Sequence, residues 1–395
     1  MRSGSAVELL RRGQRTAGQA PGRAGKHSGR ANINRPAPWI ESWSGTLINL
    51  HARLCSWENL LLAYQLASRG KRGHANVAAF EYSLEENLLR LQEELEEQTY
   101  RPGTYQSFYI HEPKRRLISA APFRDRVVHH ALCNLIEPPF ERSFISDSYA
   151  NRVGKGTHRA LNRAQGFARR FPYVLQCDIQ QYFPSIDHEI LKTMLGRKID
   201  DPRVMGLVER ILESGQGVLA EQYDMVYFPG DDLLSSLRRR GLPIGNLTSQ
   251  FWGNVYLSGF DHFVKRELGC RGYLRYVDDF LLFAADKQTL WEWKRAVQAG
   301  LTGLRLVMHP GEHPRPVSEG FPFLGFVVFP QQRRLKQRKG IYYLRKLRAM
   351  LRSCQQGEMP RAAVNASLQG WVNHVRYGNT TGLRKAAFGT GGFFF

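Results

Sequence analysis

The chain has 395 residues, a formal net charge of +21 and 42% apolar residues. This length accommodates two or three domains, and the apolar content supplies a sizeable core. A positive excess of this size predicts a polyanionic partner, most often nucleic acid, although a basic surface without a ligand would give the same total. The 5 scattered cysteines form no C-x-x-C pair, which argues against a zinc site and for a reducing compartment. No apolar run reaches the roughly 18 residues of a membrane span, so we expect a cytoplasmic protein without membrane contact.

The first 45 residues differ in composition from the rest. They are rich in Arg, Gly, Ala and Ser, and Glu8 and Glu41 are their only acids. Such a composition predicts a basic, disordered N-terminal arm. The arm could assist RNA binding, could result from a start codon assigned too far upstream, or could be an organellar transit peptide.

Helical signals dominate the next hundred residues. Ser56 is the expected N-cap of the helix SWENLLLAYQLA, and Ser83 with Glu86 predicts a capping box for SLEENLLRLQEELEEQTY. TYQSFYIHEP and KRRLISAAP are predicted to form two strands around a turn. FRDRVVHHALCNLIEPPF is a predicted helix that we expect Pro138 and Pro139 to stop.

The second half of the chain alternates strands and helices. YVLQCDI predicts a buried strand, with a turn at Phe183-Pro184, and residues 214–241 predict a loop. GYLRYVDDFLLF predicts a hairpin with Asp278 and Asp279 at its tip, and FPFLGFVVF predicts a strand pair. Predicted helices are SIDHEILKTMLGRKI, PIGNLTSQFWGNVYLSGFDHFVKREL, WEWKRAVQAGLTGL and the basic segments after Leu335. This order predicts an α+β architecture with a β-helix-β-β-helix-β core.

Three aspartates stand out because of their surroundings. Asp178 ends an apolar strand, and Asp278 and Asp279 lie in an apolar hairpin 100 residues later. Carboxylates at the ends of adjacent strands can converge, and hard oxygen ligands favour Mg²⁺. Two Mg²⁺ ions about 3.5–4 Å apart stabilise the attacking and leaving oxygens of an in-line phosphoryl displacement. The alternative is that Asp278 and Asp279 are ordinary turn residues.

Five ordered motifs between about Ser56 and Thr380 resemble those of reverse transcriptases. RYVDDFLLF resembles the catalytic box, and VLQCDIQQYFPSI resembles the first aspartate motif. KRRLISAAPFRDRVVHHAL resembles the fingers motif, and FPFLGF resembles the primer-grip hairpin. SYANRVGKGTHRAL resembles the motif that precedes the palm in group II intron and related bacterial enzymes.

The resemblance implies a right-hand polymerase fold with an antiparallel palm sheet and a helical thumb. It assigns residues 46–170 to the fingers and N-terminal helices, 171–330 to the palm, 331–380 to the thumb and 381–395 to a tail. Two Mg²⁺ ions would be held by Asp178 and Asp278, with Asp279 nearby and the backbone carbonyl of Ile179 facing a metal. Partners implied are template RNA, the RNA/cDNA duplex and dNTPs.

The resemblance also implies nucleotide and primer contacts. Phe183 would pack under the incoming sugar and reject a 2′-hydroxyl, although it could equally be a core aromatic. Arg116, with Lys114 and Arg115 as alternatives, would hold the triphosphate, for which a bidentate guanidinium is suited. The primer grip would comprise Phe323, Leu324 and Gly325.

One departure from the usual pattern concerns LPIGNLTSQFW. Ile244, before Gly245 in the nucleotide pocket, stands where most reverse transcriptases carry a Gln that hydrogen-bonds the nucleotide, and Gln250 replaces a Pro. Ile cannot make that bond, so selection would depend more on shape and stacking. The pattern resembles reverse transcriptases of diversity-generating retroelements, bacterial or phage-encoded, which copy a template-repeat RNA with errors at adenines and use a small basic accessory variability protein. The alternatives are a neutral packing variant in an ordinary-fidelity group II-like or defence enzyme, and an inactive RNA-binding scaffold.

Two features of the C-terminal third complete the comparison. The stretch MHPGEHPRPVSEG lacks the lysine that many polymerases use as a general acid, and Arg315 or His313 could substitute. Between Gln331 and Arg352 there are 9 Lys or Arg and no acids. On helices this predicts a basic face toward a nucleic-acid duplex, as in a thumb, although a solvated helix face is the simpler alternative.

Overall fold

The computed structural model describes residues 49–111 and 115–389. The N-terminal arm predicted for residues 1–45, Lys114 and the last six residues of the predicted tail lie outside the described residues.

Four helices open the described chain: α1 (Leu50–Cys55), α2 (Trp57–Ser68), α3 (Ala75–Tyr82) and α4 (Leu84–Glu96). Ser56 caps α2 as predicted, because its side chain accepts a hydrogen bond from the backbone N–H of Asn59. The capping box predicted for α4 is wrong. Ser83 precedes that helix with φ −119° and ψ 51°, and its side chain makes no capping bond.

The predicted strand pair forms a two-stranded antiparallel hairpin, β1 (Gln106–Ile110) and β2 (Arg116–Ala120). The helix after it, α5 (Phe123–Glu141), does not stop at its prolines, so that prediction is wrong. Because proline has no backbone N–H, Pro138 and Pro139 remove helical hydrogen bonds only near the last turn of α5. The added turn buries Phe140, whose ring packs edge-on against Phe251 with centroids 5.7 Å apart. This burial offsets the lost bonds.

The central sheet holds four strands, β3 (Tyr173–Asp178), β4 (Gly272–Tyr276), β5 (Asp279–Ala284) and β6 (Arg315–Pro316), in the order β4-β5-β3-β6. All of its pairings are antiparallel, and β3 lies between β5 and β6. The chain order is strand, helices, two strands, helix, strand, as in the predicted β-helix-β-β-helix-β core, but the last strand is Arg315–Pro316 and not the predicted FPFLGFVVF, which lies in a separate sheet. The helix between β5 and β6 is α11 (Lys287–Gly303).

The helices between β3 and β4 differ in part from the predictions. The segment at Phe183-Pro184 is a four-residue helix, α7 (Tyr182–Ser185). Next come α8 (His188–Gly196), capped by Asp187, and α9 (Pro202–Ser214), which the sequence motifs did not indicate. The predicted loop of residues 214–241 contains short 3-10 helices at Ala220–Gln222 and Leu233–Leu237. The long helix α10 (Leu247–His262) continues as one π-helical turn, Phe263–Glu267.

Side chains on the two faces of the sheet enter two different cores because neighbouring strand residues point to opposite sides. Leu175, Cys177 and Leu282 join the larger core, which also contains residues of α5, α10 and α11. Val174 and Leu281 join a smaller core with α6 (Thr157–Ala168) and a three-stranded sheet. That sheet consists of β7 (Phe321–Phe323), β8 (Phe326–Val328) and β9 (Arg333–Leu335), so the predicted strand pair at FPFLGFVVF is confirmed.

Three helices follow: α12 (Gln337–Gln355), α13 (Arg361–Val375) and α14 (Thr381–Gly389). They form their own small core, in which Tyr343 stacks on Trp371 with ring centroids 4.3 Å apart. Arg345, Lys346 and Arg348 lie on the exposed side of α12. Among the helices of residues 49–111 and 115–389, none combines the length and the apolarity needed to cross a bilayer. The architecture is mixed α and β with antiparallel sheets, as predicted.

Candidate active site

The three predicted aspartates meet at one edge of the central sheet. Asp178 is the last residue of β3 and lies directly opposite Asp279, the first residue of β5. Asp278 precedes it in the turn between β4 and β5. The predicted hairpin tip therefore needs one correction, since Val277 and Asp278 form the turn and Asp279 is already paired. Val277 has φ +61°, which is unusual for a β-branched residue.

Burial and the charge of Asp178 raise the pKa values of the other two carboxylates at this edge. Burial, followed by the charge of Asp178, raises the pKa of Asp279 to about 6. The same two causes, in the same order, raise the pKa of Asp278 above its ordinary value. The side-chain amide of Gln176 donates to Asp279 at 3.3 Å and offsets part of that rise. Partly buried carboxylates that repel in this way are stabilised by a cation between them.

The donor set matches the chemistry of Mg²⁺, which prefers carboxylate and carbonyl oxygens. Asp178, Asp278 and Asp279 supply carboxylates from two neighbouring strands, and the buried Ile179 follows directly with its backbone carbonyl. As placed, however, no group of three or more His, Cys, Asp or Glu in residues 49–111 and 115–389 forms a set that could hold a metal ion. The match to Mg²⁺ therefore rests on the oxygen donors and on the repulsion among the three carboxylates. A bound ion would have to draw these carboxylates closer together.

A loop that sequence reasoning missed lies against Asp178. The backbone N–H of His309 donates to the carbonyl of Asp178 at 3.0 Å, and His309 Nε2 lies 3.8 Å from Asp178 Oδ2. Glu312 accepts a 2.5 Å hydrogen bond from the backbone N–H of Asp178. Burial raises the pKa of Glu312 to about 7. No local pattern marks these residues, since their partners lie more than a hundred positions earlier.

The two residues predicted as substitutes for a general acid lie elsewhere. Arg315 pairs with Val174, four residues before Asp178 on β3. The ring of His313 lies 3.1 Å from the carbonyl of Gly311 in its own loop. In this stretch the structure therefore places His309 and Glu312, and neither of the predicted residues, beside Asp178.

The two described arginines of the β1–β2 hairpin point to different neighbours. The Arg115 guanidinium lies over the ring of Tyr109, 4.0 Å from its centroid. Arg116, the first residue of β2, acts on Asp278, because its positive charge offsets part of the pKa rise of that carboxyl. Of these two, Arg116 is electrostatically coupled to the aspartates.

The Ile244–Gly245 segment is fixed to the same hairpin. The carbonyl of Ile244 accepts a 2.8 Å bond from the N–H of Ser119 in β2. Gly245 has φ +119°, and a Cβ there would lie 3.0 Å from Ile118, so glycine is required. The buried Asn246 side chain donates to Ser119 at 3.0 Å. The partly buried Ile244 side chain thus has a firmly held backbone.

Phe183 follows Asp178 by five residues and is bonded to the chain just before Ile244. Its carbonyl accepts a 2.9 Å bond from the N–H of Leu242, two residues before Ile244. Its ring is partly buried and borders Gly253 of α10, where a Cβ would lie 3.3 Å from the ring. The structure therefore brings Phe183 into the neighbourhood of Ile244, with its ring packed against α10.

Phe323, Leu324 and Gly325 form the end of the β7–β8 hairpin. Phe323 is buried, whereas Leu324 and Gly325 have φ values of 45° and 91°, which suit a tight hairpin turn. The carbonyl of Gly325 accepts a 3.0 Å bond from the N–H of Lys336. The positive charge of Lys336 offsets part of the pKa rise of Asp279, so this hairpin end is electrostatically coupled to the aspartates.

Several known proteins are similar to parts of the chain. No model of a known protein family matches the chain. Protein YkfC of Escherichia coli K12 is 26% identical over 277 residues, which are 60% of this chain and 69% of that protein. Group II intron-encoded protein LtrA of Lactococcus lactis is 28% identical over 186 residues, and Nuclear intron maturase 1, mitochondrial, of Arabidopsis thaliana is 25% identical over 205 residues.

These last two matches span 46% and 44% of this chain but 28% of each relative. The chain therefore corresponds to under a third of either intron protein. Its similarity to a group II intron-encoded protein and to an intron maturase nevertheless supports the general resemblance to reverse transcriptases.

Proposed function

We propose that the chain is an RNA-directed DNA polymerase whose chemistry takes place at Asp178, Asp278 and Asp279. The observation that carries the proposal is the register of the central sheet, in which Asp178 lies opposite Asp279 at the edge where Asp278 turns. Repulsion among these carboxylates leaves a site that a divalent cation would stabilise.

Asp178, Asp278, Asp279 and the carbonyl of Ile179 would hold two Mg²⁺ ions. When bound, the ions would lower the charge barrier to attack of a primer 3′-hydroxyl on the α-phosphate of a dNTP and to departure of pyrophosphate. Glu312 and His309 would keep the end of β3 in place through their bonds to the backbone of Asp178. Such positioning supplies much of the catalysis in phosphoryl transfer.

The nucleotide would lie between the β1–β2 hairpin and the aspartates. Arg116 would contact the triphosphate, since its charge already acts on Asp278. Phe183 would lie under the sugar, and Ile244 and Gly245 would border the base pair from a segment tied to β2. Arg115 is the weaker candidate because its guanidinium covers Tyr109.

The remaining elements suit the parts of a right-hand polymerase. Residues 46–170 would be the fingers and N-terminal helices, 171–330 the palm and 331–380 the thumb. Phe323, Leu324 and Gly325 would grip the primer beside Asp279. The exposed cations of α12 would contact the phosphates of the template RNA and the RNA/cDNA duplex.

We further propose that the enzyme is the mutagenic polymerase of a diversity-generating retroelement. Ile244 supports this proposal. Its backbone is fixed by the bond to Ser119, and its apolar side chain could contact a nucleotide only by packing, without a hydrogen bond. Its template would be a template-repeat RNA copied with errors at adenines, and a small basic accessory variability protein would be its partner. Ordinary copying by a group II-like or defence enzyme is the alternative.

Primer extension on a defined RNA with Mg²⁺ and dNTPs tests the polymerase proposal. Asp278→Asn should abolish extension without unfolding the chain, whereas Asp232→Asn, in the second Asp-Asp pair of the chain, should leave it intact. Asp232 is an exposed residue that caps a short 3-10 helix, so it is a matched control for loss of one charge. Full activity of the Asp278→Asn variant would overturn the assignment.

Sequencing of the products tests the mutagenic proposal, with the accessory protein and native template RNA added if they are found. Errors concentrated opposite template adenines, and reduced by Ile244→Gln, are the expected result. Faithful copying of adenine under these conditions would favour the ordinary-fidelity alternative and leave the polymerase proposal standing.

A further inference from the structure

A fully buried ion pair lies directly behind the turn that carries Asp278. Arg275 of β4 and Asp261 of α10 have 1% and 0% of their side chains exposed. Arg275 Nε donates to Asp261 Oδ1 and a terminal nitrogen donates to Oδ2, each at 2.8 Å. The hydroxyl of Tyr273 donates to the same carboxylate at 2.6 Å.

Stability alone does not explain such a pair. Removing two charges from water costs about as much as their attraction returns, and apolar replacements of similar volume are often neutral or stabilising. Burial acts to lower the pKa of the Arg275 guanidinium, but the neighbouring Asp261 raises it by more, so this side chain stays charged although it is buried. A role in fixing a specific conformation is the physically reasonable alternative.

The remaining donor of Arg275 reaches the turn itself. Its Nη1 donates to the backbone carbonyl of Val277 at 2.8 Å and to the side-chain oxygen of Asn254 at 3.2 Å. Val277 has φ +61°, a left-handed conformation that a β-branched residue adopts only when its surroundings impose it. The guanidinium therefore binds the one strained residue of the hairpin and ties it to α10.

The position of the strained residue makes this contact relevant to the site. Val277 immediately precedes Asp278, so its φ and ψ angles set the direction in which the Asp278 side chain leaves the turn. A relaxed Val277 would redirect that carboxylate relative to Asp178 and Asp279. Small displacements of reacting or ligating groups have large effects on rate.

We propose that Arg275, held by Asp261, is a positioning residue that keeps Val277 left-handed and thereby aims Asp278 at the other two aspartates. This inference rests on the proposed polymerase function. It concerns how the turn is held and assigns Arg275 no contact with substrate.

The test compares two variants that differ only in the ion pair. Arg275→Met/Asp261→Leu/Tyr273→Phe replaces the ion pair and the tyrosine hydroxyl bound to it by apolar side chains, and Tyr273→Phe alone is the matched control. Thermal unfolding should show similar stability for the two. The triple variant should lose roughly tenfold in kcat with little change in KM for dNTP, the size of effect expected if the left-handed turn is no longer enforced.

A second readout does not depend on turnover. Binding of Mn²⁺ alone, followed by the loss of the free-ion EPR signal, should weaken by roughly the same factor in the triple variant. Adding Val277→Asn should restore part of both the kcat and the Mn²⁺ affinity, because Asn tolerates the left-handed region far better than Val. A merely structural role for the pair predicts no such rescue.

The outcomes separate the two proposals. If the unmodified chain extends no primer, the polymerase function fails. If the chain is active and the triple variant keeps its kcat and Mn²⁺ affinity, or if Val277→Asn restores neither, the positioning role of Arg275 is refuted. Should the triple variant not fold, Arg275→Lys with and without Val277→Asn carries the same comparison, since lysine keeps the charge but lacks the fork that reaches Val277.

Discussion

Removing the Asp279 charge is expected to stabilise the metal-free protein. In the folded chain Asp279 keeps its proton up to a pH of about 6, compared with 3.8 for an ordinary Asp. The folded state therefore binds more protons between these values, and stability falls as the pH rises through that window and stays lowered above it. The full pKa difference corresponds to about 3 kcal/mol, since each pKa unit is about 1.36 kcal/mol.

Asp279→Asn should thus raise the free energy of unfolding in EDTA by up to about 3 kcal/mol at pH 7.5 and by about half of that at pH 5. Asn keeps the oxygen that accepts from Gln176, so the bond is retained while the charge is lost. Urea titration at the two pH values measures the gain. Asp200→Asn, at an exposed position, is the control and should change little.

Addition of Mg²⁺ should reduce the difference, because an ion bound by the three aspartates would stabilise only the unmodified site. An Asp279→Asn variant that is no more stable than the parent in EDTA at pH 7.5 would refute the view that these carboxylates repel one another. The same result would remove the electrostatic argument for a cation at this edge of the sheet.

Three further predictions concern other parts of the chain. Burial lowers the pKa of His129 to about 3, so the unfolded chain takes up a proton below pH 6.5 that the folded chain does not, and the free energy of unfolding falls. In urea titrations, His129→Leu should reduce the loss of unfolding free energy between pH 7 and pH 4 by about 3 kcal/mol. Gly320 has φ +76° and a Cβ there would lie 2.6 Å from Phe329, so Gly320→Ala should lower the free energy of unfolding by roughly 2–3 kcal/mol. Lys346→Gln should weaken binding to an RNA/DNA duplex and reduce the slope of log K against log salt by about 1.

Each of these has a control and an outcome that would contradict it. A parallel acid-induced loss in the His129→Leu variant would mean that this ring is not a source of acid lability. Gly166 lies in α6 with open space around it, so Gly166→Ala should stabilise by about 0.5–1 kcal/mol, and equal effects at the two glycines would contradict the strain argument. Lys192 is paired with Glu189 and Glu209, so Lys192→Gln should leave the salt slope unchanged; a slope equally changed in both variants would argue against specific phosphate contacts by α12.

Local sequence patterns predicted the strands that carry the aspartates. The apolar runs around Asp178 and Asp278 are strong strand signals, and the Leu324–Gly325 pair suits a hairpin turn. The helix α9 has a clear start in Asp201 followed by Pro202, but its position between two other segments was not recognised. The stop expected at Pro138 and Pro139 is absent because Phe140 gains burial that the proline rule does not count.

The supporting contacts of the site were beyond local patterns. Glu312 and His309 meet Asp178 across a loop whose sequence reads only as Pro- and Gly-containing. Asp261 and Arg275 look like ordinary charges of a helix and a strand, and only the packing of α10 on the sheet reveals that they are buried together. These interactions depend on tertiary contacts, which a single sequence does not display.

The pairing of β3 with β5 also determines when the site can exist. Every residue of β3 pairs with a partner more than 100 positions later in the chain. Closing such a loop costs entropy before any contact compensates for it, so this pairing is expected to be a late event in folding. During synthesis, Asp178 leaves the ribosome well before Asp278 and Asp279 have been added. A nascent chain therefore passes through an interval in which Asp178 has been added but the two carboxylates that face it have not, so the proposed site can form only after β4 and β5 have been synthesised.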